Sequence, residues 1–177
     1  MQKDSILNII LVGVGLCIVC GAVISTVAVS LKDQQEQNVI FDQQSKIIDA
    51  ARLLEVYPSS QEALASIEEV VVNLNDGQPS DFPPEQYDLD SILRDSSQHT
   101  VLNGSDDIAM ISVRENLSKV YIEYRNNELK TLILPVRGYG LWGTLYGYLA
   151  LDSDLNTIVG LEFYKHKETP GLGAEVD

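Results

Sequence analysis

Residues 134–151 read Leu134-Pro-Val-Arg-Gly-Tyr-Gly-Leu-Trp-Gly-Thr-Leu-Tyr-Gly-Tyr-Leu-Ala-Leu151, and the choice between two folds hangs on them. Gly138-Tyr-Gly140-Leu-Trp-Gly143 is a literal G-x-G-x-x-G. A dinucleotide fingerprint needs a helix opening at these glycines, with its N-terminus facing a pyrophosphate inside a βαβ unit. The next residues are instead Thr144-Leu-Tyr-Gly-Tyr-Leu-Ala-Leu151, with Gly147 in the middle and β-type residues around it. That is a strand. The glycines then permit a tight strand connection, or a close approach of backbone to a flat ligand.

Working outward, Ile108–Val113, Lys119–Arg125, Leu129–Val136, Leu145–Leu151 and Thr157–His166 are rich in Val, Ile, Leu and Tyr and are predicted as strands. Asn126-Asn127 and Asp152-Ser-Asp154 are the turn signals between them. Upstream the texture is helical. Ile40, Ile47, Ala51 and Leu54 share one helical face, predicting a stalk helix over about 33–56. Tyr57-Pro58-Ser59-Ser60 ends it, and Ser59 or Ser60 caps a second helix with Glu62 close behind. That helix is predicted over 61–74, with Leu64, Ile67, Val70, Val71 and Leu74 on one side, until Asn75-Asp76-Gly77 breaks it. Residues 78–104 carry Pro79, Pro83 and Pro84 and read as loops with room for one helical turn. Helices first and consecutive strands later indicate an α+β fold with an antiparallel sheet.

The 177 residues carry 12 Lys and Arg against 26 Asp and Glu, a net charge of −14. A charge this negative argues against a nucleic-acid partner, which needs a basic face. The charge is concentrated: residues 33–107 hold sixteen acids against Lys46, Arg52 and Arg94. Ile6 to Leu31, by contrast, holds no charged residue and only Asn8, Ser25, Thr26 and Ser30 as polar ones. A bilayer core of ~30 Å needs about 20 apolar residues in a helix, so this run is a transmembrane anchor. It is too long for the apolar region of a cleaved signal peptide, usually about 7–15 residues, although Ala28-Val29-Ser30 loosely resembles a cleavage site. Lys3 and Lys32 flank the run, each beside an Asp, and nearly tie the positive-inside count; the free N-terminal amine tips it towards N-terminus in and the remainder outside. The organisation predicted is therefore 1–32 tail and anchor, 33–107 acidic helical and loop segment, and 108–177 β domain.

Several motifs mimic sites. Cys17-x-x-Cys20 has redox spacing, but inside an apolar run cysteine behaves as a small hydrophobe. Asp152-x-Asp154-x-Asn156 starts like an EF-hand, yet Thr157 stands at the sixth position and Phe163 at the twelfth, where Gly and Glu are required. It reads as a hairpin turn. Neither His99 nor His166 stands at metal-ligand spacing to a second ligand, so no metal site is predicted.

The informative segment is Glu162-Phe-Tyr-Lys-His-Lys-Glu168-Thr169-Pro170-Gly171-Leu172-Gly173. A strand runs into Thr-Pro-Gly-Leu-Gly, whose proline and two glycines build a fixed loop with exposed backbone N–H groups, able to receive a planar or anionic group or to serve as an ordinary tight turn. Taken with residues 134–151, the run Gly160-Leu-Glu-Phe-Tyr-Lys-His-Lys-Glu-Thr-Pro-Gly-Leu-Gly-Ala-Glu-Val176 resembles the FMN-binding domain of the C subunits of sodium-translocating NADH:quinone reductases. The G subunits of Rnf-type electron-transport complexes share the Glu-Thr-Pro-Gly-Leu-Gly loop without the Gly-Leu-Trp-Gly block. A membrane-anchored interaction module without redox function is the alternative from another class.

The resemblance implies an electron-transfer subunit of a bacterial inner-membrane respiratory complex, single-pass, with its soluble part periplasmic. It implies an iron–sulfur donor and a second FMN-carrying subunit as partners. This chain alone is not expected to be catalytic. In that family FMN is attached through its phosphate to a threonine in a Ser-Gly-Ala-Thr type motif downstream of the loop, so the attachment threonine is expected beyond Asp177, and Thr169 does not fill that role. The residues expected to form a wall of the flavin site are Glu168, Thr169, Gly171, Leu172 and Gly173, with Leu172 packing on the ring and Thr169 bonding a polar edge. Tyr139 and Trp142 either join them or pack in the core.

Overall fold

The computed structural model describes residues 6–176; Lys3 and Asp4, which enter the orientation argument, and Asp177 lie outside them. Two compact units meet at Phe41/Asp42. The first holds most of α1 (Ile6–Ala50), a helix long and apolar enough to cross a membrane. Its charge-free stretch, residues 6–31, covers about 39 Å at 1.5 Å per residue. Thr26 Oγ1 donates to Ala22 O at 2.8 Å and Ser30 Oγ to Val27 O at 2.9 Å, so these hydroxyls need no water. Cys17 and Cys20 are free and exposed.

The second unit, residues 42–177, begins with the last turns of α1. The helix ends at Ala50, short of the predicted Val56, because Arg52 turns into the left-handed region (φ 51°) and a 3₁₀ turn follows at Leu53–Glu55. Ser59 then caps α2 (Ser60–Ala65), its side chain accepting from Glu62 N at 3.3 Å. The predicted second helix stops there. Residues beyond it form β1 (Ile67–Asn73), whose Val70-Val71-Val72 run is β-branched and pairs antiparallel with β4 (Leu117–Arg125), Val70 opposite Val120. The helical spacing of Leu64, Ile67, Val71 and Leu74 yields to that pairing.

Residues 84–101 supply a 3₁₀ turn (Pro84–Gln86), α3 (Leu89–Arg94) capped by Asp88, and β2 (His99–Val101). The predicted strand at 108–113 is a loop. Asp107 takes the N–H groups of Ile111 (2.7 Å) and Ser112 (2.8 Å) that a strand would present to a neighbour, and Met110 and Ser112 have positive φ. β3 (Val113–Glu115) starts after it and pairs with β2.

The main sheet is completed by β5 (Glu128–Tyr139), β6 (Thr144–Asp152) and β7 (Ile158–Lys165), in the order β1-β4-β5-β6-β7, antiparallel throughout. Asn126 and Asn127, at φ 55° and 62°, make the tight β4–β5 turn. The 33–107 segment does not stand apart, since its residues 67–73 are an edge strand of this sheet. Ile47, Ile48, Ala50, Ala51 and Leu53 pack on Tyr121, Ile133, Tyr148 and Ala150 to form the core. Gly160 admits this packing: a Cβ there would overlap the backbone carbonyl of Ala50.

Candidate functional site

Tyr139 opposite Thr144 is the last register pair of the β5–β6 hairpin, and Gly140–Gly143 connect them. Gly140 N donates to Gly143 O at 2.7 Å, closing the connection, while Tyr139 N donates to Ala109 O at 2.8 Å in the preceding loop. The G-x-G-x-x-G is thus a hairpin connection with no helix after it.

Beyond β7 the chain forms the second half of the corner. Thr169 O accepts from Leu172 N (3.1 Å) and Ala174 N (3.2 Å), with Pro170 and Gly171 at the centre and Gly171 at φ +73°. Proline followed by a positive-φ glycine is the type II arrangement. A 3₁₀ turn, Gly173–Val176, follows.

Glu168 joins the halves. Its Oε1 accepts from Trp142 N at 3.1 Å, and its own N–H donates to His166 Nδ1 at 3.2 Å. All seven residues singled out in the sequence, Tyr139, Trp142, Glu168, Thr169, Gly171, Leu172 and Gly173, therefore belong to one corner. Tyr139 (53% exposed), Trp142 (63%) and Leu172 (80%) are not core residues, and Leu141 is exposed beside them. Large exposed apolar side chains of this kind are the raw material of a binding surface. Around them lie the backbone groups of a glycine-rich turn. A planar, mostly apolar ring with polar edges, which is what a flavin presents, fits this mixture.

A cleft away from this corner was not visible in the sequence. A cleft of about 210 Å³ is lined by Tyr87, Tyr121, Tyr146, Tyr148, Tyr164 and Arg137, among others. Tyr148 stacks on Tyr164 (4.8 Å) and meets Tyr121 edge-on (5.6 Å). Arg137 is tied to Glu115 at 2.6 Å and to Val113 O at 2.7 Å. Burial, with Glu115 nearby, pushes the Tyr87 hydroxyl up to about 12; burial likewise raises Tyr121, Tyr148 and Tyr164. All four are neutral hydrogen-bonding groups at physiological pH. The alternation Tyr146-x-Tyr148 was the available signal, but its partners Tyr121 and Tyr164 lie on other strands. Among the described residues no cluster of three His, Cys, Asp or Glu is disposed to hold a metal; Asp154 instead accepts from Asn156 N, Thr157 N and the Thr157 hydroxyl.

Comparison with known proteins gives one family. Residues 140–177 match the FMN-binding domain family. The chain is 43% identical to the C subunit of the Na(+)-translocating NADH-quinone reductase of Pseudomonas aeruginosa, over 99% of this chain and 69% of that protein. It is 38% identical to the corresponding Vibrio vulnificus protein over the same shares. The crystal structure of Shewanella oneidensis NqrC superposes with a TM-score of 0.66 at 30% identity, covering 75% of this chain and 62% of that one.

Proposed function

The chain belongs to the family of C subunits of the Na(+)-translocating NADH-quinone reductases, and on that premise we propose that it is an FMN-carrying electron-transfer subunit of such a complex. The flavin sits against the corner made by Tyr139–Gly143 and Thr169–Gly173. The observation that carries this assignment is the Glu168–Trp142 hydrogen bond, which brings the two family motifs together across 26 residues of sequence. Bound FMN supplies the redox chemistry, and the protein supplies binding, orientation and electrostatics. Trp142 and Leu172 give apolar area that excludes water from the ring. Thr169 and the backbone of the Pro170–Gly171 turn offer polar groups at its edge.

The complex is a bacterial inner-membrane assembly. The apolar helix anchors the chain as a single span with the sheet domain in the periplasm. An iron–sulfur centre as electron donor and a second FMN-bearing subunit as acceptor complete the path. The test is ultraviolet illumination of a denaturing gel of the full-length protein, taken from flavin-replete cells that make the whole complex. Fluorescence that survives denaturation is expected. A dark band overturns the reading.

A further inference from the structure

Resting on that flavin-binding reading, we propose that Glu168 is a positioning residue: its carboxylate locks the Gly140–Gly143 connection to the Thr169–Gly173 loop without touching the flavin. One wall is the connection of the β5–β6 hairpin, the other the loop after β7, and they share no stretch of backbone. The hydrogen bond from Trp142 N to Glu168 Oε1 ties them at 3.1 Å. Sterics describe the same lock. A Cβ on Gly140 would lie 2.5 Å from Glu168 Oε1, and one on Gly173 would lie 3.1 Å from Glu168 Cβ and 3.1 Å from Oε2. On Gly143 a Cβ would lie 2.8 Å from Lys167 Cδ. Three glycines from the two motifs therefore make room for the side chains of Lys167 and Glu168. Positive φ explains none of the three, since the described positive-φ glycines are Gly77 and Gly171. Glu168 is half-buried while Trp142 and Leu172 are exposed. The clamp and the ligand surface are thus different groups.

The role needs an acceptor oxygen at this place. Glutamine keeps one and alanine does not. The test uses the full chain in its assembled complex, as wild type, Glu168→Gln, Glu168→Ala, Gly140→Ala and Gly140→Ala/Glu168→Ala. Chymotrypsin cuts after aromatic and leucine residues, and Tyr139, Leu141 and Trp142 in the connection report its opening. A hydrogen bond to a charged group contributes enough that its loss raises an opening equilibrium about tenfold. Glu168→Ala is expected to speed cleavage in the connection by about that factor, with the global thermal midpoint little changed. Glu168→Gln stays within about threefold of wild type. Gly140→Ala opens the connection when Glu168 is present and has at least about threefold less effect when it is absent, because the 2.5 Å contact has gone.

The flavin absorption envelope and fluorescence polarisation of the same samples separate clamp from ligand. A positioning role is rescued by glutamine, whereas a charge acting on the flavin is not. Equal damage from Gln and Ala in the flavin signal, or additive effects of Gly140→Ala and Glu168→Ala on cleavage, overturns the proposal. A wild-type chain that retains no flavin defeats the functional reading instead. The cleavage comparison still decides the clamp in that case.

Discussion

The hydroxyl of Tyr57 donates at 2.9 Å to the carboxylate of Glu123 near the end of β4, a side chain with no exposed surface. Arg125 Nη2 (2.7 Å) and Thr131 Oγ1 (3.0 Å) supply the remaining partners. Tyr57 lies in the link between α1 and α2, so this bond pins the link to β4.

Tyr57→Phe keeps the ring and removes one donor to a buried charge. It should cost about 1.5–3 kcal/mol of unfolding free energy. Arg125→Ala should cost at least as much, because Arg125 donates through Nε (3.1 Å) and Nη2 (2.7 Å) to the same buried carboxylate, which would be left without its cation. Chemical denaturation of the two variants side by side checks both the sizes and the order. An unchanged Tyr57→Phe midpoint would contradict the assignment.

Gly160→Ala drives a methyl into the carbonyl of Ala50, and neither backbone can rotate away. A loss of about 2–3 kcal/mol or more is expected, at the upper end of overpacking costs. Gly104→Ala is the control, with nothing within 4 Å of its Cβ. Equal midpoints for the two variants would show that α1 does not approach β7 as described.

The tyrosine cleft makes stability fall in alkali. A tyrosine whose folded pKa lies above its unfolded value of about 10 is held neutral by the fold. Its contribution is complete below about pH 10 and is lost as pH rises through the folded value, about 12 for Tyr87, because the unfolded chain gives up protons first. Tyr121, Tyr148 and Tyr164 act in the same direction. Tyrosinate absorbance followed with circular dichroism should show part of the eight tyrosines ionising only as the sheet unfolds. Ionisation of all eight near pH 10 with the sheet intact would remove this account.

The apolar run should hold the chain in the bilayer. The full-length protein is expected in the pellet after alkaline carbonate extraction, and a chain lacking residues 1–32 in the supernatant. An alkaline phosphatase fused after the sheet domain should be active if that domain is periplasmic. A mature N-terminus after Ala28 or Ser30 would instead mark the run as a cleaved signal.

How far the fold was legible in the sequence depends on the range of the forces involved. The uncharged run 6–31, the Asn126-Asn127 turn and the Val, Ile, Leu and Tyr richness of β5 to β7 are local, and the strands emerged with ends shifted by a few residues. The Gly138–Gly143 block was recognisable as a strand connection because Thr144–Leu151 cannot open a helix. β1 was misread because Leu64, Ile67, Val71 and Leu74 also satisfy a helical spacing, and only pairing with Val120 and its neighbours decides between the two. The strand predicted at 108–113 was lost to one side chain, Asp107, competing for its N–H groups. The residues of the corner were singled out in the sequence, but the hydrogen bond joining Glu168 to Trp142 was not legible, since no local rule links positions 26 apart.

The strand order also sets a schedule for assembly. β4 to β7 form a run of hairpins that close over short turns and can zip in sequence. β1 must wait for β4 across residues 74–116, and the entropy of closing so long a loop delays contacts of this kind. During synthesis the Val70-Val71-Val72 run therefore emerges well before its partner strand. Folding should be limited by the late capture of this first strand. A variant that weakens the β1–β4 register, such as Val71→Thr, should slow the final phase and leave the early hairpins untouched.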